Sequence, residues 1–138
     1  MSKHTDMATG FYDACESGKG WEGCKSFCTP DASFSCQSAS MAQVTTVEQY
    51  TDWMKGLMTV MPDAGYTLKG LGEDTDRGCV LAFGVFTGTH TGAGGPIEPT
   101  GKATKTEYVF VMQIEDGAIK HITKIWNDGF ALSQLGWA

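Results

Sequence analysis

The side chains of this 138-residue chain best placed to do chemistry are His121 and Asn127, two polar residues in an otherwise apolar strand pattern near the C-terminal end. An imidazole in an apolar wall is kept neutral by desolvation and can act as a base near neutral pH. A carboxamide can orient a carbonyl or an enolate by donating a hydrogen bond to its oxygen. Asp128, beside Asn127, is the nearest carboxylate, and His90 in a Gly/Pro-rich loop is a further candidate for the mouth of a pocket. Other chemistries lack their residues. There is no G-x-G-x-x-G ahead of a helix, no G-x-S-x-G and no H-E-x-x-H, and Pro96 occupies the first glycine position that a phosphate loop ending at Gly101-Lys102 would need. General acid–base chemistry or simple ligand binding is what remains.

The element that must position these residues is a hairpin. Asp116-Gly117 between two alternating strands predicts a type I′ turn, because both turn residues need positive φ. A regular ladder then places Glu115 opposite Ala118, Met112 opposite His121, Tyr108 opposite Ile125 and Thr106 opposite Asn127. One face collects Tyr108, Phe110, Met112, His121, Ile125 and Asn127 as the core side. The other collects Val109, Val111, Ile122, Lys124, Trp126 and Asp128. A one-residue bulge would exchange the two sets on the strand that carries it. An apolar wall with a few convergent polar groups is the anatomy of a small-molecule pocket.

Upstream, Ala8, Phe11, Tyr12 and Cys15 recur at helical spacing, and a second short helix is expected from Trp21 to Phe27. Phe34 centres a short strand over Ala32 to Cys36. Thr45 and Glu48 have capping-box spacing at the head of a longer helix, whose stripe includes Tyr50, Met54 and Leu57 and which Pro62 stops. Trp53, Met54 and Tyr12 are candidates for ligand contact alongside Tyr108, Phe110 and Met112. Four strands follow, over Tyr66 to Glu73, Gly78 to Thr91, Lys102 to Glu115 and Ala118 to Asn127, and the Thr91–Gly101 loop interrupts them. Helices followed by long antiparallel strands predict an α+β domain. Glycines inside those strands predict a curved sheet, with helices over its concave side and a pocket within the cone.

The length suits one domain spanning 1–138. A formal net charge of −6 offers no basic stripe for a phosphate backbone, so no nucleic-acid partner is expected. No run of apolar residues is long enough for a membrane span, and the opening residues lack the apolar core of a signal peptide. A cytoplasmic protein without a membrane partner is expected. Of five cysteines only Cys24 and Cys28 have zinc-like spacing, so free thiols, no bound metal and no cofactor are expected. A homodimer is expected through the outer sheet face, which carries Val109, Val111, Ile122 and Trp126.

The run Gly88-Thr-His-Thr-Gly92, then Gly95-Pro96, Pro99-Thr-Gly-Lys102, Ile114-Glu-Asp-Gly117 with Ile119, and Leu135-Gly136 resembles the SnoaL-like polyketide cyclases. These belong to the nuclear-transport-factor-2-like superfamily, and the resemblance covers residues 5 to 138. It implies a cone of helices over a curved, mostly antiparallel sheet (a cystatin-like roll), commonly dimeric. It also implies an inward aspartate on the last strand, the acid–base group for intramolecular aldol closure of a polyketide ester. That position falls on Asn127, whose amide cannot abstract a proton, and Asp128 could replace it only through a bulge. The expected function is binding of a small apolar or amphipathic organic ligand, with cyclase or isomerase chemistry by enolisation of a carbonyl or ester. The alternative is a noncatalytic ligand-binding or dimerisation module.

Overall fold

The computed structural model describes residues 2–138. Helix α1 (Lys3–Glu16) is started by Ser2, whose side chain accepts the amide of Thr5, and it buries Ala8, Phe11, Tyr12, Cys15 and Glu16 along one side. The expected second helix is a five-residue α2 (Gly20–Cys24) continued by a 3₁₀ turn, Lys25–Phe27. Strand β1 (Cys28–Cys36) ends where expected but begins before the expected Ala32. Helix α3 (Val47–Val60) carries the capping box one residue later than expected, on Thr46 and Gln49. The strands are β2 (Gly65–Asp74), β3 (Cys79–Thr89), β4 (Ala103–Glu115) and β5 (Ala118–Trp126), and α4 (Asp128–Leu135) closes the chain.

The sheet order is β1-β5-β4-β3-β2, with β1 parallel to β5 and every other pair antiparallel. Alternation along β3 and β4 sends Val80, Ala82, Tyr108, Phe110 and Met112 into a core shared with α1 and α3. The β2–β3 ladder shifts register between Leu68 and Gly70, one of the irregularities that bend a sheet. No helix among the described residues is long and apolar enough to cross a membrane.

The turn is as expected, with Asp116 and Gly117 at φ 52° and 78°. The register beyond it is not. Ile114 faces Ile119, but Gln113 faces His121, so Lys120 is an extra residue on β5. From there on every β5 side chain is reversed relative to the regular ladder. Ile122, Lys124 and Trp126 turn inward, with Lys124 opposite Phe110 and Trp126 opposite Tyr108. His121, Thr123 and Ile125 turn outward. The expected inward set on β5 is therefore corrected, and so is the outer face: Ile122 and Trp126 leave it, and Ile125, 60% exposed, joins Val109 and Val111 there.

Candidate active site

Between the concave face of the sheet, α3 and α4 lies a cavity of about 380 Å³, within the range of small-molecule sites. Trp53, Met54 and Leu57 of α3 form one wall. Thr104, Thr106 and Tyr108 of β4 with Lys124 and Trp126 of β5 form the floor, and Leu132, Leu135 and Trp137 close the far side. Two charged residues enter this largely apolar space: Glu16, the last residue of α1, and Lys124. They are 2% and 6% exposed, so neither has bulk water as its main solvent.

Glu16 arrives there by helical periodicity. It lies one turn after Tyr12 on the stripe that α1 buries. Its Oε1 is buried and has no hydrogen-bond partner among the described residues. Burial pushes its carboxyl up to about 7, against the opposing influence of the Lys124 charge and the Tyr108 hydroxyl.

Lys124 arrives through the bulge. Its Nζ donates to the Tyr50 hydroxyl at 3.0 Å. It also stands 4.2 Å from the ring centroid of Trp126, 5.0 Å from Tyr50, 5.4 Å from Tyr108 and 5.6 Å from Trp53. Such faces attract a cation, yet burial dominates and pulls the amine below its ordinary range, with Glu16 opposing. Among the described residues no ion pair joins Glu16 to Lys124. The two groups face one cavity, each partly offsetting the effect of burial on the other.

A tyrosine pair completes the floor. The hydroxyls of Tyr12 and Tyr108 are 2.7 Å apart. Gly84 makes room for them, because a Cβ there would collide with the Tyr12 hydroxyl and crowd the Tyr108 ring. Burial lifts Tyr12 to about 12 and Tyr108 higher still, so both remain neutral donors.

Of the ligand contacts expected from sequence, Trp53, Met54 and Tyr108 line the cavity. Phe110 and Met112 are core residues beneath it, and Tyr12 reaches it only through Tyr108. His90 is fully buried but acts as a clamp. Its Nδ1 accepts from the indole of Trp137 at 2.9 Å and from the amide of Thr100 at 3.3 Å, tying the loop after β3 to the C-terminal residues. Nε2 must then carry the ring proton, and it has no partner among the described residues.

The residues expected to react are placed elsewhere. His121 is on the outer face, its Nδ1 and Nε2 bonded to the hydroxyls of Ser33 at 2.6 Å and Ser35 at 3.0 Å. Asn127 is exposed and caps α4, its side-chain oxygen accepting the amide of Phe130 at 3.1 Å. Asp128 accepts the Ser40 amide at 3.0 Å, a bond that holds its carboxyl below the usual range. Both line a shallow groove on the outside of the sheet, beside Glu107 and Ile125. Glu16 and Lys124 were missed. The helical stripe running from Tyr12 into an acidic residue was a legible signal for Glu16; Lys124 had none without the bulge.

No group of three or more His, Cys, Asp or Glu side chains among the described residues is arranged to hold a metal ion. The five cysteines are unpaired thiols, of which Cys28 is raised to about 12, chiefly by burial.

A search of curated proteins returns no match. Among solved structures, IdmH of Streptomyces antibioticus, a proposed polyketide cyclase, superposes with a TM-score of 0.77 at 20% identity, over 98% of this chain and 99% of its own. A proposed SnoaL-like polyketide cyclase of Jannaschia sp. CCS1 gives 0.80 at 14% identity, over 99% and 93% of the two chains. AclR of Streptomyces galilaeus, a proposed hydroxylase, gives 0.79 at 18% identity, over 100% and 83%. These likenesses establish the nuclear-transport-factor-2-like α+β fold, while their low identities leave activity to the site itself. The family model described as SnoaL-like polyketide cyclase matches residues 6–135, nearly the whole sequence, and the chain belongs to that family.

Proposed function

We propose that this protein binds an apolar carbonyl compound in the cavity and enolises it, with Glu16 as the general base. The observation that carries this reading is the buried, unpartnered Oε1 of Glu16 on the wall of an apolar cavity. A carboxyl held near 7 is ionised in a useful fraction at neutral pH and basic enough to take a proton from carbon next to a carbonyl. The enolate needs compensation for its charge. Tyr108, with Tyr12 donating to its oxygen, would turn its own proton from the Glu16 carboxyl to the enolate oxygen, and Lys124 supplies positive potential from the same floor. Trp53, Trp126 and Leu132 exclude water and hold the apolar part of the substrate. An enolate generated in this way is the nucleophile of an intramolecular aldol closure and equally the intermediate of an isomerisation, so the reading covers cyclase and isomerase outcomes.

The test is proton exchange. 4-Phenyl-2-butanone and ethyl 3-oxohexanoate incubated with the protein in D₂O are expected to exchange α-protons faster than in buffer, with a rate that rises through about pH 7 as Glu16 ionises. Glu16→Gln should remove the acceleration. Catalysed exchange that survives in Glu16→Gln would overturn the assignment of the base. Binding of the ketones without any exchange would favour the noncatalytic module.

A further inference from the structure

Lys124 is more than a counter-charge in this cavity. Its amine is buried on the floor, within reach of a bound ligand, on the opposite strand from Phe110 and with the Glu16 carboxyl on the same cavity wall. An exposed lysine is a poor nucleophile at neutral pH because the proton occupies its lone pair, whereas a lysine desolvated among apolar groups is the usual means of forming a covalent bond to a carbonyl. We propose that Lys124 is a nucleophile that condenses with a ketone or aldehyde substrate to form an iminium ion, and that Glu16 moves the protons of that condensation. The substrate class is thereby narrowed to compounds with an unhindered ketone or aldehyde. This inference rests on the reading of Glu16 as the acid–base group.

The proton inventory permits it. The ion pair of carboxylate and ammonium has the same number of protons as the neutral pair of carboxylic acid and amine. Burial raises Glu16 and lowers Lys124, so both effects shift the balance toward the neutral pair. From that state the lone pair of Nζ adds to the carbonyl carbon while the C=O π pair moves to oxygen, which takes the Glu16 proton. The Glu16 carboxylate then removes a proton from the positively charged nitrogen, leaving a neutral carbinolamine. Returned to the hydroxyl, that proton lets water depart as the nitrogen lone pair forms the C=N bond. The products are an iminium ion, a Glu16 carboxylate and one water. The carboxylate is then placed to take the α-proton, the C–H pair becoming the C=C bond of a neutral enamine. No oxidant, reductant or further reactant enters.

The aromatic floor fits the charge that this sequence creates. Four ring centroids lie between 4.2 and 5.6 Å from Nζ. A nitrogen that is neutral at attack and cationic as an iminium gains cation–π attraction as the reaction proceeds. The missing ion pair matters as well. A carboxylate locked onto Nζ would leave no room for a carbonyl carbon, whereas here, among the described residues, the amine is bonded only to the neutral Tyr50 hydroxyl.

The experiment is reductive trapping with 4-phenyl-2-butanone and sodium cyanoborohydride at pH 7, followed by intact mass and peptide mapping. The expected result is a single adduct equal to the ketone less its oxygen, located on Lys124. Its yield should exceed that at any other lysine by about tenfold or more, because an ordinary lysine is neutral in only about one molecule in 2,500 at pH 7. Lys124→Arg, which retains a long cationic side chain, should lose the adduct; circular dichroism checks that it is folded. No adduct on Lys124, or labelling no greater than at surface lysines, overturns the proposal. Absence of an adduct on the wild-type protein, together with α-proton exchange that is retained in Lys124→Arg and lost in Glu16→Gln, would refute the covalent step and leave the enolisation reading standing. An adduct on Lys124 with exchange unaffected by Glu16→Gln would leave amine attack standing but refute Glu16 as the acid–base group, and with it the proton transfers proposed here.

Discussion

Nζ of Lys124 donates to the hydroxyl of Tyr50 at 3.0 Å, joining the last strand to α3 inside the protein. The bond is one of the few polar links across the core. Tyr50→Phe keeps the ring and its stacking on Phe34, whose centroid is 4.5 Å away, but removes the acceptor. Destabilisation of about 1–3 kcal/mol is expected, the penalty of leaving a buried donor unpaired. Urea unfolding of the two proteins at pH 7 measures it, and a difference near zero would mean that Lys124 re-pairs elsewhere.

Glu16 makes stability fall as pH rises. Its carboxyl is raised from 4.5 to about 7 on folding, so between those values the native state holds a proton that the unfolded chain has released. This contribution is complete below about pH 4.5 and lost above about pH 7, on the order of 3 kcal/mol in total. Glu16→Gln has nothing to titrate and should flatten the slope of unfolding free energy between pH 5 and 8. Equal slopes for both proteins would show that the carboxyl is not perturbed by burial.

Gly84 opposes Tyr108 across the β3–β4 ladder, and a methyl group there would strike the Tyr12 hydroxyl. Gly84→Ala should separate the tyrosine pair and cost about 1–3 kcal/mol through overpacking. A lowered melting temperature with a changed near-ultraviolet tyrosine signal is the expected signature. An unchanged melt would mean that the pair can move aside freely.

His121 and Asn127 are outside the cavity, so their replacement should leave exchange activity within about twofold if Glu16 is the base. His121→Ala loses only its bonds to Ser33 and Ser35. Asn127→Ala should cost about 1 kcal/mol by removing the α4 cap, whereas Asn127→Asp keeps it. Loss of exchange activity in Asn127→Asp would restore the last-strand position to the mechanism.

The outer sheet face is proposed to pair with a second copy of the chain. Leu81, Phe83 and Ile125 are 42%, 37% and 60% exposed and lie beside Val109 and Val111 across three adjacent strands. An apolar band of this kind is more than a solvated sheet face needs. Sedimentation at micromolar concentration should give a dimer that Phe83→Asp together with Ile125→Asp converts to monomer. A wild-type monomer would dismiss the pairing.

Much of this molecule was legible in its sequence, because the signals concerned are local. Helical spacing of Ala8, Phe11 and Tyr12, the Pro62 stop and the Asp116-Gly117 turn each depend on neighbouring residues, and they locate α1, α3 and the β4–β5 hairpin. The motifs around Gly88 and Leu135 pointed to the family that the sequence match establishes. The wall residues Trp53, Met54 and Tyr108 were also readable, since apolar periodicity tells which side of an element is buried. What only the tertiary structure decided was which charges enter the cavity. A single extra residue at Lys120 reverses β5, sending His121 out to Ser33 and Ser35 and Lys124 in to Tyr50 and Trp126. Bulges are set by how a whole strand fits its partners and by what the core will bury, not by the two residues of the turn. Glu16 and Lys124 meet for the same reason: they are far apart along the chain, and only the docking of α1 on the concave sheet brings an acid and an amine to one cavity.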